Sequence, residues 1–322
     1  MVTGGHDSST SANRLRSIAA PAQSGSHSAV IARDFEDPTA TFYFDGQVEG
    51  VAYPSLSPAQ QDNFKADFFR EAASLRTWSC RESWSPSPPT ELKIFVSDDY
   101  KISKSLVPAA LDRRGRMEFP AWKAIAGEAA IVHELVHVYF PNGNRLLAEG
   151  LAVYLQAEIG GNPVFPNFGK PLHEMARELL IEMIAEFTGE NSIGIEKLHL
   201  ADLDKIATPS PLRLRVGRDL YDNNPVGQAH IYPLAGSFVQ FIIDSHGTDK
   251  FHAVFMLTPL VPFERDAGSP DRWIEIYGLS LADLEAQWKS SIVSHAPSSA
   301  CPGAAVEERK AARSIATAVG QR

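Results

Sequence analysis

The sequence predicts an α+β fold, with a small mixed sheet layer in the N-terminal part packed on a mostly helical C-terminal part. Three observations carry this. Short β-type runs and turn signals concentrate in residues 34–121. Apolar residues at helical spacing dominate residues 122–296. The two ends lack either pattern. Residues 1–33, rich in Ser, Gly and Ala, read as a disordered leader, and 297–322 as a loose tail or frayed helix.

Taken in order, Thr41 to Tyr53 reads as a β-hairpin turning at Asp45-Gly46, a pair that supplies the positive φ of a tight turn. Ser57-Pro58 opens a helix, because Ser caps and Pro fits the first turn. Phe64, Phe68, Ala72 and Leu75 then recur at helical spacing, for a helix of about 18 residues. Leu92–Val96 is a strand, and Gly115–Phe119 a shorter one, read either as a peptide-pairing edge or simply as a sheet edge. From Trp122 the pattern turns helical, and Ile125–Phe140 is apolar nearly all round, as in a buried helix. A Pro-Asn-Gly-Asn turn at 141–144 ends it, and a second helix runs from about Arg145 to Ile159. Leu172–Phe187 is amphipathic, with Glu174, Glu178, Glu182 and Glu186 on its solvated side. His230–Ser245, entered at Pro233, and Asp249–Met256 follow. Ser280–Asp283 is a capping pattern that opens a last helix through Trp288 and Val293.

Composition narrows the function. The 322 residues carry 30 Lys+Arg against 39 Asp+Glu, a net charge of −9. That balance argues against a general nucleic-acid binder or an anionic-membrane binder. No apolar run approaches the roughly 20 residues that span a bilayer. Cys80 and Cys301 allow one bridge or two reduced thiols, and neither a disulfide scaffold nor a four-thiolate metal site. Ser17–Pro21 is too short for the apolar stretch of a signal peptide, so the cytoplasm is the default compartment, reversed to export if the true start lies elsewhere. Oligomeric state is open.

The informative segment is His133-Glu134-Leu135-Val136-His137. On a helix, positions i and i+4 share one face, so both imidazoles can bind one metal ion. Glu134 is rotated away from that face and can reach a water on the metal. A catalytic zinc keeps three protein ligands and one open position. Glu149, in Leu147–Tyr154, is the candidate third ligand, because the 141–144 turn folds its helix back beside the first. Gly150 would let the two helices approach closely. Two neutral histidines and one carboxylate leave a zinc site at net +1, which draws the pKa of its water to about 7. His173-Glu174 is no second site, since Arg177 holds the i+4 position, and it reads as a solvated helix start. His246 and His252 read as surface or capping residues.

These residues resemble a family. His133-Glu134-x-x-His137 followed by Leu147-Ala148-Glu149-Gly150-Leu151-Ala152 is similar to the gluzincin zinc metallopeptidases, and within them to the compact bacterial peptidase MA-like group. Tyr232–Val239 resembles that group's tyrosine-bearing helix, and Leu279–Trp288 its C-terminal helix, so that residues 90–293 fit overall. Where many gluzincins carry an acidic partner four residues after the ligand glutamate, this chain has Val153.

The resemblance implies a zincin-type C-terminal part and a hydrolase, a protease acting on a peptide or protein substrate. It implies one zinc per chain on His133, His137 and Glu149, with Glu134 as general base. Tyr232 is the expected donor to the oxyanion, with His230 as the competing donor. Substrate sequence depends on loops such as Asn162–Pro171 and Pro209–Gln228. The lack of an aminopeptidase-type motif upstream leans towards endopeptidase action. The alternative is a non-catalytic protein of the same fold that binds a peptide or partner in its cleft.

Overall fold

A computed structural model describes residues 38–48, 51–54, 56–86, 88–105, 115–186, 200, 225–258 and 268–294. The expected leader and tail, most of the Pro209–Gln228 loop, and Cys301 lie outside the described residues.

The described chain is mixed α/β, with one small four-stranded sheet and mostly helix beyond it. Its strands are β1 (Thr39–Tyr43), β2 (Asp45–Val48), β3 (Val51–Pro54), β4 (Glu91–Ser97), β5 (Lys104–Ser105) and β6 (Arg116–Pro120). The sheet order is β1-β4-β6-β5, parallel except for the last pairing. β2 and β3 form a separate antiparallel pair.

This corrects the hairpin expected at Asp45-Gly46. Those residues lie within a ladder, opposite Pro54 and Tyr53, so the reversal falls between Val48 and Val51. The residues before them go to β1, where Ala40 and Phe42 pack on the core cluster, and Phe44 just after β1 lies within it. It also corrects the edge reading of Gly115–Phe119. β6 lies between β4 and β5, and the edge is the two-residue β5.

Alternation along the sheet sorts its two faces. Leu92, Ile94, Val96, Met117 and Phe119 are buried on one side. On the other, the Arg116 guanidinium sits 3.8 Å from the Phe95 ring centroid and 2.6 Å from Glu118. Burying each large apolar side chain on the inner face contributes about 1.5–3 kcal/mol.

Helix α1 (Pro58–Arg81) lies on that inner face through Phe64, which meets Phe119 and Phe42, and Phe68, which meets Phe42. Its 24 residues exceed the expected 18, because the apolar spacing continues to a buried Trp78. The expected start holds: Ser57 and Gln60 form a reciprocal capping box.

The long helix expected from Trp122 is two helices, α2 (Ala121–Ala126) and α3 (Ile131–Tyr139). Gly127 breaks it, at φ 69°, with Glu128 N–H donating back to Lys123 O at 2.8 Å. That is the left-handed helix stop a glycine allows at little cost. Helix α4 (Arg145–Ile159) begins where the sequence placed it, with Asn144 accepting from Leu147 N–H.

Next come α5 (Leu172–Glu186), α6 (Pro225–His246), α7 (Thr248–Met256), α8 (Asp271–Tyr277) and α9 (Leu281–Ser294). Helix α6 starts well before Pro233, which sits inside it. Helix α8 has no counterpart in the sequence reading, being only seven residues long. At α9, Ser280 and Asp283 cap reciprocally, as expected.

Gly150 does permit a close approach, but to α6. A Cβ there would stand 2.5 Å from Val239 Cγ2 and 3.0 Å from Ala235 O. Gly236 answers from α6, where a Cβ would collide with the Val153 side chain. One apolar cluster runs from Phe44 to Ile292 through the sheet and the helices. No helix among the described residues is long and apolar enough to cross a membrane.

Candidate metal centre

Helix α3 carries the motif, and eight of its nine residues are buried, all but His137. Its first turn has no side-chain cap from its own N-cap residue, Ala130. The orphan donors of that turn are met instead from both flanking helices. Glu71 Oε2 on α1 accepts from Val132 N–H at 3.2 Å. Gln156 Oε1 on α4 accepts from His133 N–H at 3.0 Å. The helix that presents the imidazoles is therefore pinned at its start between α1 and α4.

The α3–α4 turn brings His133, His137 and Glu149 together. Nε2 of His133 and Nε2 of His137 stand 3.2 Å apart. Glu149 Oε2 lies 3.2 Å from the first and 3.4 Å from the second. That oxygen is buried, and neither approach has hydrogen-bond geometry. Among the described residues this is the one His/Cys/Asp/Glu group able to hold a metal ion.

The dimensions fit. Tetrahedral bonds of 2.0–2.1 Å set ligand-to-ligand edges of about 3.3–3.4 Å. Three donors spaced at 3.2, 3.2 and 3.4 Å make one face of such a tetrahedron.

Electrostatics separates the two acidic residues. Burial drives the Glu134 carboxyl up, against the lowering pull of His133 and the Ser105 hydroxyl, to about 7. Burial also pushes on Glu149, but the Arg145 charge, then that of His137, outweighs it and holds Glu149 well below the ordinary 4.5. Arg145 Nη1 is 2.7 Å from Glu149 Oε1, one helical turn away.

Tyr232 on α6 reaches the site through that arginine. Arg145 Nη2 donates to its hydroxyl at 2.6 Å, and its ring centroid lies 6.1 Å from that of His133. The side chain of His230 lies outside the described residues. His173 and Glu174 do lie at the start of α5, with Glu174 exposed, but His173 is half-buried and its Nδ1 meets the buried Ser237 Oγ at 2.8 Å. His252 lies over Trp84, with ring centroids 4.6 Å apart.

Three residues of the site were not read from sequence. Arg145 was legible in principle, as a cation four residues before the ligand glutamate on one helix. Glu71 and Gln156 had no local signal, because each acts on another helix. Val153, at the place of the expected acidic partner, packs on Gly236 instead.

No protein family, curated protein or solved structure matches the chain.

Proposed function

We propose that the protein is a zinc-dependent metallopeptidase that hydrolyses peptide bonds, with one zinc per chain on His133, His137 and Glu149. The observation that carries this reading is the three-donor triangle of 3.2, 3.2 and 3.4 Å on an HExxH helix. Two imidazoles and a carboxylate are a three-donor set, which suits a catalytic zinc, whose fourth position takes water, rather than a structural one, which is closed by four protein ligands. The resemblance to gluzincins supports the same reading, as does the buried Glu134 beside the triangle.

When bound, zinc supplies a Lewis acid that activates water and polarises the scissile carbonyl. Glu134 takes the proton of the attacking water and returns it to the leaving amine. Tyr232 donates a hydrogen bond to the oxygen that becomes negative. Arg145 is a donor only, so the Tyr232 oxygen accepts from it and the phenolic hydrogen is given elsewhere.

The test is zinc content by elemental analysis of the wild type and His137→Ala, followed by a peptide-library cleavage screen with Glu134→Gln. The proposal expects about one zinc per chain, lost in H137A. It expects E134Q to keep its zinc and lose cleavage. A metal-replete wild type without zinc sinks it. Zinc retained with no cleavage by the wild type, and peptide binding unaffected by E134Q, would favour a non-catalytic cleft protein.

A further inference from the structure

We infer that Arg145 is a positioning residue that makes Glu149 a one-oxygen metal ligand and holds Tyr232 beside it with the same guanidinium. The inference rests on the metal-centre reading above.

The argument begins with the division of the Glu149 carboxylate. Oε1 is 2.7 Å from Arg145 Nη1, while Oε2 faces the two imidazole nitrogens at 3.2 and 3.4 Å. A carboxylate that gave both oxygens to a cation would have to share Oε1 between that cation and Arg145, at the expense of their pair. That pair is buried, with Arg145 7% and Glu149 6% exposed, so water cannot readily replace either partner.

The second nitrogen of the fork is committed as well. Arg145 Nη2 donates to the Tyr232 hydroxyl at 2.6 Å. The guanidinium is planar and rigid, so the separation of its two nitrogens fixes the separation of Glu149 Oε1 and the Tyr232 oxygen. A helix-α4 side chain thereby ties the third ligand to a residue on α6. Lysine carries the same charge on a single ammonium and lacks that two-pronged geometry. The outer partner of the ligand glutamate lies one turn before it on α4, rather than one turn after, where Val153 stands.

Zinc and cobalt(II) titrations of the full chain test this, comparing the wild type with Arg145→Lys, Arg145→Met and Tyr232→Phe. Far-UV circular dichroism of each metal-free protein checks that it is folded. R145K and R145M should bind one zinc per chain about 10- to 100-fold more weakly, the usual effect of losing a ligand's outer partner. Their cobalt(II) visible bands should differ in position and intensity from the wild type, as a freed Glu149 changes the coordination. Y232F leaves the Arg145–Glu149 pair intact and should keep wild-type affinity and spectrum. Should R145M fail to fold, R145K carries the comparison alone, since it keeps the charge and loses the fork. Wild-type affinity and an unchanged cobalt spectrum in R145K would overturn the inference, as would a loss in Y232F equal to that in R145K. A wild type that binds neither metal overturns the metal-centre reading itself, and this inference with it.

Discussion

The two sides of helix α3 place buried glutamates in opposite circumstances. On the α1 side, Glu71 is 1% exposed, and burial pushes its carboxyl from 4.5 up to about 7. One backbone N–H, from Val132, and an arginine 3.9 Å away do not offset the loss of water. On the α4 side, Glu149 is 6% exposed and is held well below 4.5. Burial is nearly the same on both sides, and the difference lies in the cations. Arg145 stands 2.7 Å from Glu149 and is itself buried, so its charge is little screened. Arg70 beside Glu71 is exposed to water. The side built for a neutral carboxyl is a structural clamp on α3, and the side built for a carboxylate is where a cation can sit.

The most severe way to break this contrast is Glu149→Ala. It removes a metal donor and strands a buried guanidinium. Zinc affinity should fall by more than about a hundredfold, beyond what losing an outer partner costs. The metal-free protein should also lose about 3–5 kcal/mol, as when one member of a buried ion pair is deleted. Chemical denaturation of metal-free wild type and E149A reads the second effect directly. Equal stability of the two would mean that Arg145 finds water or another partner, and that the α4 side is less dry than its exposure implies.

Glu71→Gln sharpens the other side. The folded-state value of about 7 lies above the ordinary 4.5, so the fold favours the protonated carboxyl. That preference is fully present below about pH 4.5 and is lost as pH rises through about 7. The whole rise corresponds to about 3 kcal/mol. Gln keeps an acceptor for Val132 N–H and does not ionise. The denaturation free energy of the wild type should therefore fall from pH 5 to pH 8 more steeply than that of E71Q. Parallel profiles would show that Glu71 is already ionised in the fold at pH 5.

The sequence announced the α4 side and concealed the α1 side, for a physical reason. His133, His137 and Glu149 sit on two adjacent helices joined by a four-residue turn, so helical geometry alone brings them together. The start of α4, its Asn144 cap and the capping of α9 were legible for the same reason, being local. Glu71 meets Val132 across 61 positions, and nothing in its own helix marks it out. The hairpin failed similarly. Asp45-Gly46 is a fair local turn signal, but β1 gains more by pairing in parallel with the distant β4. Gly127, which splits the expected long helix, is a local stop signal set inside an otherwise apolar run.

The smallest test concerns Gln156, the α4 counterpart of Glu71 at the start of α3. Its Oε1 accepts from His133 N–H, while its Nε2 is buried without a hydrogen-bond partner among the described residues. Gln156→Leu has two opposed effects. It orphans the His133 N–H, a cost of about 2 kcal/mol, and it removes an amide donor that was itself unsatisfied. The net loss should be about 1 kcal/mol, less than either carboxylate change. Its effect on metal should be out of proportion to that, because the bond it removes fixes the backbone of a ligand. Zinc affinity should weaken in Q156L more than in E71Q, although both side chains cap the same turn. Equal zinc affinity in the two variants would show that α3 is held by packing alone, and that the hydrogen bond from α4 has no part in aiming His133.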